Sequence, residues 1–249
     1  MLEINPFAVL SASIPPAVMQ TFVVVMMLLV AAGTLFDIVH KGSARYFFQN
    51  WRRSKSKTRQ LGSGELASIA VRTAVVDVLA SGEFCNARRR VAHLLTMYGF
   101  VLHAASTVVM VFNHSAPELW PHLWWIGGLM VLAGGYWFWF FIRVDVTVEG
   151  NSPLRVTRAD LFILSLLASV TFGLLWAWLQ AWLIFGLYIL ATTVLFGSVP
   201  WSKFAHMFFK PAAAFEKRVS DANGTRSNLP APVDKPEQFG SARTAPRHY

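Results

Sequence analysis

The sequence predicts an all-α fold, an integral membrane bundle of five helices, and three observations predict it. Of 249 residues, 55% are hydrophobic and only 14% are charged, whereas a soluble domain carries about 25% charged residues because its surface faces water. Mean hydropathy is +0.45. The apolar residues fall in long unbroken runs separated by short polar segments. Backbone amides and carbonyls in lipid find no water, so such runs must satisfy themselves as helices.

About 20 apolar residues cross a hydrocarbon core of roughly 30 Å as a helix. Five stretches reach that length: residues 17–39, 91–112, 119–142, 161–179 and 181–199. Residues 1–16 form an external N-terminal segment without the basic stretch of a cleaved leader, so the first run is expected to be retained. The third run is rich in Trp and Gly, and the fourth and fifth are parted only by a turn at Gln180. The fifth is expected to pass Pro200, bend there for want of an amide donor, and continue as WSKFAHMFF to Lys210. Together, residues 17–210 make the transmembrane domain.

Charge sets the topology. The segment 41–90 carries Lys41, Arg45, Arg52, Arg53, Lys55, Lys57, Arg59, Arg72 and the run Arg88, Arg89, Arg90. The loop 143–160 adds Arg143, Arg155 and Arg158, and the tail begins with Lys210, Lys217 and Arg218. The alternate connections, 113–118 and the turn at Gln180, hold neither Lys nor Arg. The positive-inside bias then predicts an outside N-terminus and a cytoplasmic C-terminus. It also accounts for the net charge of +9 without nucleic acid, for which the chain has no motif.

Two segments do not span. Residues 65–80 form a short amphipathic helix within the cytoplasmic loop, suited to lying on the membrane or receiving a partner. Residues 211–249 read as a disordered cytoplasmic tail, polar and broken by Pro and Gly-Ser. The single cysteine, Cys85, excludes an intrachain disulfide and a cysteine metal cluster.

Ionisable groups within membrane helices are costly and mark function by default. His93 and His103 lie on the second helix, ten residues or about 15 Å apart, on what reads as nearly one stripe. His206 lies at the end of the fifth. His93 is three residues inside Arg90 and His206 four inside Lys210, which matches their depth at the cytoplasmic face. Two histidines from facing helices at one depth suit the two axial positions of haem b. Gly99 and Gly186 would leave room for a flat macrocycle, or serve close helix packing. Arg89, Arg90 and Lys203 are placed to pair with haem propionates, although Arg88 to Arg90 also serves topology. The plain alternative for each imidazole is a helix cap or a headgroup contact. His40, beside Asp37 at the foot of the first helix, is a rival ligand at the same depth. His114 and His122 lie at the outer face, where solvated histidines are ordinary.

At these residues the chain resembles a known family. The run DVLASGEFCNARRRVAHLLTMYGF, residues 77–100, is similar to the membrane cytochrome b subunits of the nitrate reductase gamma type. That group includes the membrane subunits of heterodisulfide reductase and of the quinone-interacting oxidoreductase of sulfate reducers. The run PWSKFAHMFFK, residues 200–210, resembles its closing helix. The resemblance implies haem ligands on the second and fifth helices, with His93 and His206 as the cytoplasmic-side pair and His103 as the second ligand of its helix. Tyr188 stands where a further histidine of the fifth helix would fall. The resemblance therefore implies one haem, and a second would need another ligand such as His122.

With no fused iron–sulfur domain, the chain looks most like the membrane anchors of dissimilatory adenylylsulfate reductase. That likeness implies a multi-pass protein of the bacterial inner membrane and a role in sulfur metabolism. Its task would be to pass electrons between cytoplasmic flavin and iron–sulfur subunits and membrane quinone, as a non-catalytic or quinone-reactive subunit of an oxidoreductase. A haem-free anchor for a cytoplasmic enzyme, or a small transporter with His103 and Tyr188 lining a polar path, are the alternatives. The quinone site is not legible; Tyr188, His103 and Lys203 are its nearest candidates.

Overall fold

Proline and asparagine set where the helices begin. In the computed structural model, Asn5 caps a short helix α1, Pro6–Leu10, its side chain accepting from the amides of Phe7 and Ala8. Pro16 opens α2, Pro16–His40, at a helix start where a missing amide costs nothing. Asn86 likewise caps α4, Ala87–Phe112, by accepting from the amides of Arg88 and Arg89, so that helix begins four residues before the apolar run. The structure describes residues 3–40, 59–82, 84, 86–143, 160–201 and 206–224, with the isolated positions 49 and 156; of 206–210 it describes the backbone alone.

Between α2 and α4 lies α3, Ser63–Arg72, which widens into a π-helical stretch, Thr73–Leu79. After α4 come α5, Leu119–Trp137, also ending in a π turn, Phe138–Ile142, then α6, Leu161–Leu179, and α7, Trp182–Gly197. A 3-10 turn, Val199–Trp201, and a last helix α8, His206–Ala222, complete the order. Among the described residues the fold is entirely helical. Four helices are long and apolar enough to cross a membrane: Pro16–His40, Ala87–Phe112, Leu119–Ile142 and Leu161–Leu179. α7 is apolar but only 16 residues long, about 24 Å of rise.

Successive spans alternate in direction, whereas α2 and α7 run parallel, with Gly33 of α2 against Val199 and Pro200 just past the end of α7. α4 packs on α5, α5 on α6, α6 on α7, α7 on α2 and α2 on α4. The tight α6–α7 turn is made by Gln180 in the left-handed region, φ 51°, its amide donating to the Trp176 carbonyl at 2.8 Å. α5 is the most closely held helix because its glycines face two ways. A Cβ at Gly127 would lie 2.6 Å from the His103 amide, and one at Gly134 would lie 2.7 Å from the Ala92 carbonyl, both on α4. Gly128 and Gly135 instead face Leu174 and Leu167 of α6. Small residues allow this approach where lipid supplies no hydrophobic drive between helices.

The core at the end away from the basic residues is aromatic. Trp124 and Trp176 are fully buried, and Phe7 wedges between them at 6.2 and 5.5 Å between ring centres. Asn5 holds this wedge down by donating to the Met110 carbonyl at 3.0 Å. The N-terminal segment is thus a packed part of the bundle.

Two expectations are corrected here. The fifth helix does not continue through Pro200; it ends at Gly197, and Ser198 leaves helical geometry. Proline donates no amide and its ring crowds the carbonyl four residues back, here that of Phe196, and a 3-10 turn closed by the Trp201 amide on the Ser198 carbonyl replaces the expected bend. Residues 211–222, expected to begin a disordered tail, belong to α8. α8 packs on α3 and its π extension, and Arg218 grips Asp77 with two bonds, 2.6 and 2.8 Å. The rest of the tail, 225–249, lies outside the described residues.

That pair makes the α3–α8 contact acid-sensitive. The Arg218 bond holds the Asp77 carboxyl below its ordinary value of 3.8. A carboxyl lowered on folding contributes fully above its unfolded pKa and loses that contribution as pH falls through the folded one. Hydrogen exchange of the α8 amides is therefore expected to quicken below pH 3.8, relative to the spanning helices. Arg218→Gln should bring that faster exchange at neutral pH and remove the acid step. An α8 protected equally at both pH values would contradict this.

Candidate functional site

α4 carries both candidate histidines of the second span, and the structure turns them to different neighbours. Ten residues are about 2.8 turns, an offset of roughly 80° around the axis, so the single stripe expected from the sequence does not form. His93 meets the loop after the π stretch. Its Nδ1 lies 3.1 Å from the Ser81 hydroxyl, and its ring lies 4.8 Å from that of Phe84. Ser81 is buried and has φ 48°, a left-handed backbone that non-glycine residues enter at a cost and that often marks function. The loop is tied down by the Gly82 amide donating to Val76 at 2.7 Å, and by Arg90 donating from Nε to Ala80 at 2.8 Å.

His103 is buried between α4 and α5. Its Nδ1 lies 2.9 Å from the Trp124 carbonyl, and because a carbonyl only accepts, Nδ1 carries the proton. The ring stacks on Trp124 at 4.6 Å. Trp124 in turn donates to the Thr107 hydroxyl, which donates to the His103 carbonyl. This closed polar circuit accounts for His103 as a packing histidine, and Tyr188 lies elsewhere, stacked on Trp176 at 5.9 Å and packed on Gly173. The two are not brought together.

His206 opens α8, and its side chain lies outside the described residues, as does all of Lys203. The π stretch and its loop touch both partners: Leu79 and Ala80 bond to α4, and Asp77 bonds to α8. His40 stacks on Phe36 at 5.2 Å at the end of α2. His122 bonds through Nδ1 to the Glu118 carbonyl at 2.7 Å, an ordinary first-turn contact. Gly99 provides no slot for a macrocycle, since a Cβ there would lie 2.7 Å from the Gly127 carbonyl of α5. Around Gly186 nothing stands within 4 Å.

Arg89 donates to the Ile142 carbonyl at 3.3 Å, joining the same ends of α4 and α5. Beside it Arg143, over the face of Trp139 at 3.9 Å, pairs bidentately with Asp160 at the start of α6. Both charged side chains are about nine-tenths buried. Sequence reading missed this pair and missed Ser81. A Ser-Gly dipeptide signals a turn, but nothing local says that the turn reaches an imidazole twelve positions on.

An imidazole oriented through one ring nitrogen by a fixed partner, as His93 is by Ser81, is the arrangement that metal-ligating histidines use. Among the described residues no group of three His, Cys, Asp or Glu could hold a lone metal ion. Fold and composition define a multi-pass α-helical membrane protein. No protein-family model, curated protein or solved structure matches the chain.

Proposed function

We propose that this chain is a five-span membrane subunit, with an outside N-terminus and cytoplasmic C-terminus, that relays electrons between a cytoplasmic redox enzyme and membrane quinone through haem b. The observation that carries the reading is the His93–Ser81 contact: a buried serine, in a backbone conformation that has to be maintained, fixes one nitrogen of an imidazole near the basic end of a long apolar helix. His206, on a helix at the same end, is the proposed second ligand. The basic residues support the orientation, and α7 with the following 3-10 turn supports a fifth crossing.

Haem b, when bound, supplies the one-electron chemistry. Within the chain, Ser81 orients the imidazole. In the tautomer whose Nδ1–H donates to the Ser81 hydroxyl, Nε2 carries the lone pair. α4 and its neighbours form a low-dielectric sheath. The basic segment 41–90, including Arg59 and Arg72, favours encounter with an acidic partner surface. The resemblance of residues 77–100 and 200–210 supports a flavin and iron–sulfur enzyme as that partner, adenylylsulfate reductase among them, in a bacterial inner membrane. A haem-free anchor is the second reading, favoured by the closure of Gly99 against α5.

A reduced-minus-oxidised optical spectrum of the purified protein tests this. A b-type haem band is expected, abolished in His93→Ala and in His206→Ala and retained in His40→Ala. No band ends the reading in favour of the anchor. A band lost with His40 and kept without His93 overturns the ligand assignment.

A further inference from the structure

α3 and its π extension have two faces. One, with Leu66, Ile69, Thr73 and Asp77, turns toward α8 and the bundle, and Thr73 on it is buried. The other carries Ala67, Val71, Val75 and Leu79 at every fourth position, and all four are exposed. Val71, Val75 and Leu79 stand 64%, 51% and 50% open. An apolar stripe this exposed on a segment outside the spanning helices calls for a covering medium.

Where the stripe ends says which medium. The Tyr98 hydroxyl donates to the Leu79 carbonyl at 2.8 Å. Tyr98 is eight residues, about 12 Å of helix rise, further into the bilayer direction than Arg90. Its neighbours on that face of α4, Val91 and Val101, are also exposed. Helical side chains lean toward the N-terminus, so Tyr98 reaches back and meets Leu79 between the basic run and its own level. Leu79 therefore leans on the lipid-facing side of a spanning helix, below the arginines that mark the headgroups. Arg72, beside the stripe, and Arg88 and Arg90 beyond it are exposed as well, and each suits an anionic headgroup at the boundary.

We infer that residues 63–79 form an in-plane membrane helix, whose Ala67–Val71–Val75–Leu79 face enters the acyl boundary of the leaflet at the basic end of the bundle. Its opposite face then serves as the platform on which Arg218 seats α8, so the bilayer surface positions the helix that begins at His206. The inference needs only the spanning helices and stands apart from haem binding.

The test is nitroxide accessibility in the full chain, with Cys85→Ser, in vesicles of phosphatidylcholine and phosphatidylglycerol. Labels at Val71→Cys and Val75→Cys should be relaxed by dissolved oxygen over a water-soluble nickel chelate. Their ratio should match a label at Leu129→Cys on a spanning helix and exceed, several-fold, one at the charged and exposed Lys217→Cys. Because Val71 and Val75 both face outward, one label that disturbs folding leaves the other as a readout. Ratios at 71 and 75 like that at 217 overturn the inference and assign the stripe to a protein partner. Ratios low for both probes, restored on dilution into excess lipid, overturn it in favour of a second copy.

Discussion

Replacing Gly127 with leucine is expected to lower the detergent melting temperature by roughly 10 °C or more. Even the first added carbon would lie 2.6 Å from the His103 amide and 2.8 Å from the Gly99 carbonyl. Those are backbone atoms of a continuous helix, and no rotamer change relieves them. α4 and α5 would have to separate along their length, which puts the cost at about 3 kcal/mol or more, the upper end of overpacking. The same separation would unstack His103 from Trp124. Gly128→Ala should be milder, because the atoms it meets at 2.9 Å are the ends of the flexible Leu174 side chain. Gly186→Ala, with nothing within 4 Å, should be neutral or slightly stabilising through helix propensity. A thermal series in which 127 and 186 tolerate substitution equally would refute the close α4–α5 crossing.

Asp160→Ala carries the second large expected effect. Arg143 and Asp160 are about nine-tenths buried, so water cannot replace the lost carboxylate around the guanidinium. Removing one partner of a buried ion pair typically costs about 3–5 kcal/mol. Arg143 also packs over Trp139, which holds it in place after the carboxylate is gone. The double variant Arg143→Met with Asp160→Leu should recover much of the loss, because two apolar groups of similar size require no charge to be desolvated. Melting in detergent, read as a double-mutant cycle, checks this. Additive single effects would show that the two side chains act independently.

Much of the fold was legible because its causes are local. Long apolar runs and the polar Gln180 between two of them act through their own backbone neighbours, whereas the Asn86 cap that starts α4 four residues before its apolar run was not read. The end of the fifth span was misjudged because two local rules compete at Pro200. Apolarity continues past it, but the missing amide donor and the ring of Pro200 prevail and a 3-10 turn results. Residues 211–222 of α8 were read as tail because their helicity rests on packing. Asp77 and Arg218 are 141 residues apart, and no window of sequence joins them. The candidate site divides in the same way. His93 was visible as an ionisable residue in an apolar run, whereas Ser81 depends on a positive φ that serine rarely adopts. His103 looked equivalent to His93 until the 80° offset of ten residues, and a carbonyl on the facing helix, gave it a different task.

The glycines of α5 carry a consequence for how this protein tolerates change in length. Its two contact ledges, 127 with 134 and 128 with 135, are adjacent strips on one cylinder. One residue inserted or deleted before them would swing both by about 100°. The wall shared by α4 and α6 would then face neither neighbour. The third span is therefore the part of the chain in which a single-codon change in length should be least forgiven.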